Sequence, residues 1–295
     1  METLSRSLAF LRVPTLIKFR WARRFGVLPI IAALVLVAIL ATAVLAPLIA
    51  PHDPLAMLPT NRLKPPTELH PLGTDAYGRD LLSRVIYGAR VSLLIGIGVT
   101  VVAVGIGLFV GLVAGFFRLM DAIVMRVMDA LMAIPSLLLA IAIVSLTGAS
   151  IWSVMFAIVV PDIPRVVRVV RAIVLSAREE PYVEAAIAAG TRLPLILWRH
   201  LMPNTLAPLI VQGTYVCASA ILTEAILSFI GAGVGTETPT WGNIIAEGRA
   251  YFQIKPSLIF WPGLMLSLCV LSINLLGDLA RDLLDPRLKQ REAAR

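Results

Sequence analysis

The chain has 295 residues, of which 58% are hydrophobic and only 15% charged, and its mean hydropathy is +0.88. This composition excludes an ordinary soluble domain and points to a polytopic membrane protein. The net charge of +8 does not signal nucleic acid, because no basic patch is interleaved with aromatic residues and the Lys and Arg side chains gather at the edges of apolar runs.

In chain order, residues 1–26 form a basic segment with Arg6, Arg12, Lys18, Arg20, Arg23 and Arg24, expected in the cytoplasm. Residues 27–50 are an apolar run longer than a signal-peptide core, read as a signal-anchor span rather than a cleaved leader. Residues 51–90 are expected outside the cytoplasm. There Gly73 and Gly78 mark turns, and residues 81–90 suggest an amphipathic helix lying on the membrane surface. His52 and His70 lie in the same segment and are read as solvated loop residues without metal-ligand spacing.

Residues 91–278 form a core of five further spans, at about 91–117, 122–146, 151–173, 205–231 and 259–276. Gly107, Gly111 and Gly115 share one face of the second span, which lets a neighbouring helix come close. Pro135 is expected to kink the third span, and Pro161 and Pro164 interrupt the fourth. Cys217 and Cys269 fall inside spans, where a cysteine acts as a small apolar residue. The expected fold is an all-α integral membrane protein of six transmembrane helices, ending in a cytoplasmic tail at 279–295.

Charge placement sets the orientation. Arg165, Arg168, Arg171, Arg178, Arg192 and Arg199 lie at the end of the fourth span and in the loop after it, and Arg281, Arg287, Lys289, Arg291 and Arg295 follow the sixth. Both termini and the 174–204 loop are therefore expected inside the cell. The 51–90 segment, with five basic residues, runs mildly against this assignment. Near the third span, Arg126 and Asp129 are spaced as an ion pair along one helix. Asp162 is grouped with Arg165 and Arg168. Glu224 lies deep in the fifth span with Ser228 one turn on, either as a structural glutamate or lining a substrate path.

The polar stretch 182–204, YVEAAIAAGTRLPLILWRHLMPN, stands apart in this apolar chain. It suggests a short helix over 182–189, a break at Gly190, and a second helical segment closed by Pro203-Asn204. Glu184-Ala185-Ala186 places one carboxylate beside two small side chains, so another protein surface can approach the backbone. This stretch resembles the "EAA" cytoplasmic loop of ATP-binding-cassette (ABC) importer permeases. His70-Pro71-Leu72-Gly73-Thr74-Asp75 with Gly78-Arg79-Asp80, and Asn274-Leu275-Leu276-Gly277-Asp278 with Leu284-Asp285-Pro286-Arg287-Leu288, are similar to segments of the C-type permeases of dipeptide, oligopeptide and nickel importers.

The resemblance implies the type I ABC importer permease fold and a permease subunit forming half of a translocation pathway by alternating access. It implies a homologous second permease, two cytoplasmic ATPase subunits and an extracytoplasmic solute-binding protein as partners, within membrane lipid. Glu184, Ala185, Ala186 and Gly190 would couple to the ATPases. Peptides are the expected cargo, with nickel, glutathione or another small solute as the alternative.

The chain's own chemistry is sparse. Each of its four lysines follows Ile or Leu, so no Gly-Lys-Ser/Thr phosphate loop exists, and ATP and Mg are expected on partner subunits. No catalytic set and no metal site is expected; no Gly-x-Ser-x-Gly elbow or Ser/Lys pair is present. A stand-alone secondary transporter would carry coupling acids deep in its spans and an internal repeat, and neither is visible beyond Glu224.

Overall fold

The computed structural model describes residues 27–284. The basic segment 1–26, and the part of the tail from residue 285 onward, lie outside the described residues. All regular elements among the described residues are helical: α1 (Val27–Val44), α2 (Leu81–Phe116), α3 (Arg118–Ala133), α4 (Ser136–Thr147), α5 (Ile151–Ala177), α6 (Pro181–Ala188), α7 (Met202–Phe229), α8 (Trp241–Gly248) and α9 (Ser257–Leu284), joined by short helical turns.

Among the described residues, four helical runs are long and apolar enough to cross a bilayer: α1, α2, the continuous run Leu193–Phe229, and α9. The expected third span is broken rather than kinked. Helices α3 and α4 meet at 88° across Ile134-Pro135, and the pair makes a fifth crossing if taken together. Pro135 forces the residue before it into extended backbone, and Ile134 sits at φ −90°, ψ 128°, where a helix cannot continue. Pro161 and Pro164, by contrast, do not interrupt α5, which is one helix of 27 residues. It is the remaining helix of the expected six and is long enough to cross. Asp162, Arg165, Arg168 and Arg171 keep it outside the strictly apolar set.

Two boundaries differ from the sequence reading. Helix α1 stops at Val44, and a separate helical turn, Ala46–Ile49, follows a bend at Leu45. Residues 81–90 are not a surface helix. They are the first turns of α2, a helix of 36 residues, about 54 Å long at 1.5 Å per residue. That length exceeds a hydrocarbon core of about 30 Å, so one end of α2 stands clear of the lipid. Asp80 caps this end, its side chain accepting from the Ser83 N–H, which explains why the helix begins so far out.

Helix α2 is the central post, with α1, α5, α7 and α8 packed around it, and its most extensive partner is α5. The reason is legible in the side chains. Gly107, Gly111 and Gly115 repeat every fourth residue on α2 and face Val166, Val170 and Val174, which repeat every fourth residue on α5 and are fully buried. A Cβ added at Gly111 would lie 2.6 Å from the Val170 Cβ, so only glycine permits this approach. One apolar cluster forms along this seam and reaches Val183, Ile196 and Leu201 at the α5–α7 connection. A second is shared by α1, α2, α7, Trp241 and α9.

Charges complete the α3–α5 contact. Asp121 is held by a two-pronged contact from Arg171, and Asp129 accepts from Arg168 Nη2 at 2.6 Å. The local Arg126–Asp129 pair is not what forms: α5 supplies both partners, because its packing against α2 brings its arginines alongside α3. The Asp129–Arg168 pair is exposed and contributes little. Asp162 Oδ1 accepts from Arg165 Nη1 at 3.1 Å, one turn away on α5.

Candidate functional site

Two regions stand out from the helical frame. The first is the α5–α7 connection. Helix α5 ends at Ala177, and two short turns lead to Pro181, whose ring is suited to the first helical position. Helix α6 then ends in a complete Schellman arrangement: the Gly190 N–H bonds to Ile187 O at 2.9 Å and the Thr191 N–H to Ala186 O at 3.1 Å. Gly190 adopts φ +76° with nothing within 4 Å of where a Cβ would stand, so glycine is required there by backbone conformation and not by crowding.

Only Val183 of α6 is buried, in the seam cluster. Glu184, Ala185, Ala188 and Ala189 are exposed, and Ala186 is half-buried. Ile187 and Tyr182 are its large exposed side chains, at 49% and 46%, and the residues between them on the exposed side are Glu184 and small alanines. Helix α6 thus buries one side chain and presents, around Glu184-Ala185-Ala186, a low surface with a single carboxylate. Asn204 ties the two ends of the connection together, donating to the Tyr182 hydroxyl at 2.9 Å and to His200 O at 2.7 Å. Pro203-Asn204 does not close a helix, as the sequence suggested. The chain passes from Leu193 through a π-helical turn, Leu197–Leu201, straight into α7, with Pro203 just after that turn, where the regular ladder is already broken.

The second region is the opposite end, where α8 is wedged against α2 and α7. Trp241 is fully buried; its indole N–H donates to Val85 O at 3.1 Å, and its backbone N–H to Ser92 Oγ. Gly242 lies against Ala225 and Ser228 of α7. Beneath it Glu224 is fully buried, accepting from Ser228 Oγ at 2.8 Å, while Glu224 Oε2 has no hydrogen-bond partner among the described residues. Glu224 and Ser228 are therefore brought together, enclosed by protein within this subunit. Asn243 fixes the preceding loop by donating to the carbonyls of Val234, Gly235 and Thr238.

Helix α8 is also locked to the 51–80 segment by a charge network that sequence reasoning missed. Asp75 accepts from Arg79 Nε at 2.6 Å and from Arg84 Nη1, and both arginines continue to Glu247 on α8. The two arginine side chains are only 1% exposed. Burial pushes the Asp75 carboxyl up, but the Arg84 and Arg79 guanidiniums outweigh it and hold the group below the usual carboxylate range. Lys255 Nζ adds bonds to the carbonyls of Lys64 and Thr74. Asp75, Arg79 and Arg84 belong to a recognisable motif, but Glu247 lies 168 residues beyond Arg79, and no local pattern links them.

Of the histidines of this segment, His70 is not the solvated loop residue expected, while His52 stays half-exposed. His70 is buried and donates from Nδ1 to Asp80 Oδ1 at 2.9 Å, and the His52 ring stands 4.7 Å from it. The two histidines stand 18 positions apart in the chain, which is why their spacing alone carries no signal.

These features define an all-α integral membrane subunit, with an exposed small-residue helix at one end and a charge-locked cap at the other. The chain belongs to the family of binding-protein-dependent transport system inner membrane components, whose pattern matches residues 103–290. It is 52% identical over 249 residues to a "Probable peptide ABC transporter permease protein y4tQ" of Sinorhizobium fredii, covering 84% of this chain and 85% of that protein. It is 39% identical to the dipeptide transport system permease protein DppC of Alkalihalophilus pseudofirmus, covering 89% of this chain and 86% of that one. It is 43% identical to the di/tripeptide transport system permease protein DppC of Pseudomonas aeruginosa, covering 84% of each. Among solved structures it is similar in fold to the inward-facing MetNI methionine ABC transporter, with TM-score 0.54, 20% identity, and coverage of 70% of this chain and 98% of that one.

Proposed function

We propose that this permease subunit carries half of the pathway of an ATP-driven peptide importer, and that α6 is the element on which partner ATPase subunits act. Peptide cargo is supported by the relatives' names, since the three quoted above are permeases of peptide, dipeptide and di/tripeptide systems. The coupling role is carried by one observation: α6 is an exposed helix, small around Glu184-Ala185-Ala186, whose only buried side chain is Val183 and which is closed by a glycine in the left-handed region. Such a helix lets a partner surface reach its backbone, and its single apolar anchor feeds displacement into the α2–α5 seam.

In this reading ATP and Mg are held, and ATP hydrolysed, by two separate cytoplasmic ATPases. A homologous second permease completes the pathway, and a solute-binding protein delivers cargo to the face bearing α8. Both termini and α6 lie on the cytoplasmic side, which the arginines at 165, 168, 171, 178, 192 and 199 support.

Replacing Gly190 tests the joint. Gly190→Val places a β-branched residue at positive φ and is expected to cost roughly 1–3 kcal/mol locally, misplacing α6. Gly190→Asn, which tolerates that region, should behave nearly as the wild type. Glu184→Arg reverses the one charge on the exposed face. In the assembled complex, Gly190→Val and Glu184→Arg are expected to lower peptide-stimulated ATP hydrolysis at least about tenfold, with membrane insertion unchanged. Wild-type stimulation in both would remove α6 from the coupling path.

Orientation has its own check. In a chain whose Cys217 and Cys269 are replaced, Ala185→Cys should resist an impermeant maleimide in intact cells and cross-link to an ATPase subunit in membranes. Labelling from outside would reverse the topology.

A further inference from the structure

We infer that His52, His70 and Asp80 form a binding site for a divalent first-row transition cation, for which Zn²⁺ is the best chemical match. The site stands apart from the transport reading, since it involves neither α6 nor any part of the pathway assigned above. One donor atom from each residue, two imidazole nitrogens and a carboxylate oxygen, lies within 4.8 Å of the other two. Two nitrogens and one oxygen, with water in the fourth position, is a donor set that suits zinc and its neighbours better than calcium or magnesium, which take oxygen.

The site is built rather than incidental. Asp80 is 2% exposed, and its Oδ2 is fixed by the Ser83 N–H at 2.8 Å and the Ser83 hydroxyl at 2.7 Å. Those bonds orient the carboxylate as outer-sphere bonds orient a ligating group, leaving Oδ1 toward His70 Nδ1 at 2.9 Å. His52 is positioned through the same serine, its backbone N–H donating to Ser83 Oγ at 3.1 Å. Its Nδ1 lies 3.9 Å from Asp80 Oδ2, shielded from solvent, and has no hydrogen-bond partner among the described residues.

A hydrogen-bonded His70–Asp80 pair by itself would account for two of the three groups. It leaves an enclosed imidazole nitrogen facing a carboxylate with nothing to bond, which is costly unless a ligand joins them. In a tetrahedral site with bonds of about 2.0 Å the donor atoms stand about 3.3 Å apart. The His70–Asp80 distance is already close to that, and the wider separations close by turning the His52 ring, the most exposed of the three at 38%. The bound cation would displace the Nδ1 proton of His70 and tie residues 52 and 70 to the first turn of α2. That holds the 51–80 segment in place on the same side as the Asp75 network.

The chain has only three histidines, so the test is sharply defined. The full-length protein, purified with a tag lacking histidine and stripped with chelator, is titrated with Co²⁺ and followed by visible absorption. The wild type is expected to take up one equivalent, with four-coordinate Co²⁺ bands that one equivalent of Zn²⁺ abolishes. His52→Ala and His70→Gln are each expected to weaken uptake at least about tenfold, while His200→Ala leaves it unchanged. Binding is scored on material with wild-type elution volume and helical circular dichroism, with His52→Asn replacing His52→Ala if that variant fails the check. No uptake by the wild type at 100 µM Co²⁺, taken as about the weakest useful affinity, would overturn the site. So would uptake kept within threefold by either His52 or His70 variants, or lost in His200→Ala.

Discussion

Gly111→Leu is expected to prevent α2 and α5 from seating and to destabilise the subunit by about 3 kcal/mol or more, at the upper end for overpacking. The glycine lies in the middle of the seam, where even a Cβ would meet Val170 Cβ at 2.6 Å and Val167 O at 3.0 Å. Neither neighbour can yield, since Val167 and Val170 are fully buried and the contacted atoms belong to a branched side chain and a backbone. Gly105→Leu is the control on the same helix, because nothing lies within 4 Å of its Cβ position. The two variants should therefore differ sharply in the yield of monodisperse protein and in melting temperature, with Gly105→Leu near the wild type. Equal stability of the two would show that the α2–α5 seam does not depend on its glycines.

Asp75→Asn carries the second large effect. It leaves Arg79 and Arg84, each 1% exposed, sharing the single carboxylate of Glu247. A buried charge left without its partner costs about 3–5 kcal/mol, enough to lower the melting temperature by roughly 5–10 °C in a chain of this size. Adding Arg84→Met should recover part of the loss by removing the uncompensated charge.

The pH dependence follows from the direction of the shift. Asp75 is held below its ordinary value of 3.8, so its contribution is present above that value and is lost only as pH falls through the lower folded value. The stability gap between wild type and Asp75→Asn should therefore stay constant from pH 8 to pH 5 and narrow only in stronger acid. A gap that closed between pH 7 and pH 5 would mean that Asp75 is not held by the two arginines.

Both cases turn on the same division. The glycine stripe was visible in the sequence as a four-residue repeat in an apolar run, because the period of a helix is local and fixed. What the sequence could not supply was the partner. Val166, Val170 and Val174 carry the same period, but so do other residues in a chain this apolar, and only the packed helices select which faces meet.

The 182–204 stretch was the most legible part of the candidate site. A proline start, small residues and a glycine stop are local signals, and α6 with its Schellman end follows them. Pro203 misled, because a proline in the first turn of a helix and one that ends a helix look alike until the preceding segment is known to be helical. Residues 81–90 misled for a similar reason: an amphipathic pattern fits a helix on a membrane surface and equally the protruding end of a long one whose apolar face is covered by α8.

Composition, the apolar periods and the local proline and glycine signals thus determined by themselves that this is an all-helical membrane protein with a short helix ended by glycine in its polar 182–204 stretch, since each is a property of residues within a few turns of one another. Tertiary structure alone decided the pairings of the charges. Asp121 and Asp129 turned to Arg171 and Arg168 of another helix, Asp75 joined Glu247 through two buried arginines, and His52 came to stand beside His70 and Asp80. The physical reason is that a charge in or near an apolar medium must find its opposite wherever the packing of apolar faces delivers it, and that packing is set by contacts far apart in the chain.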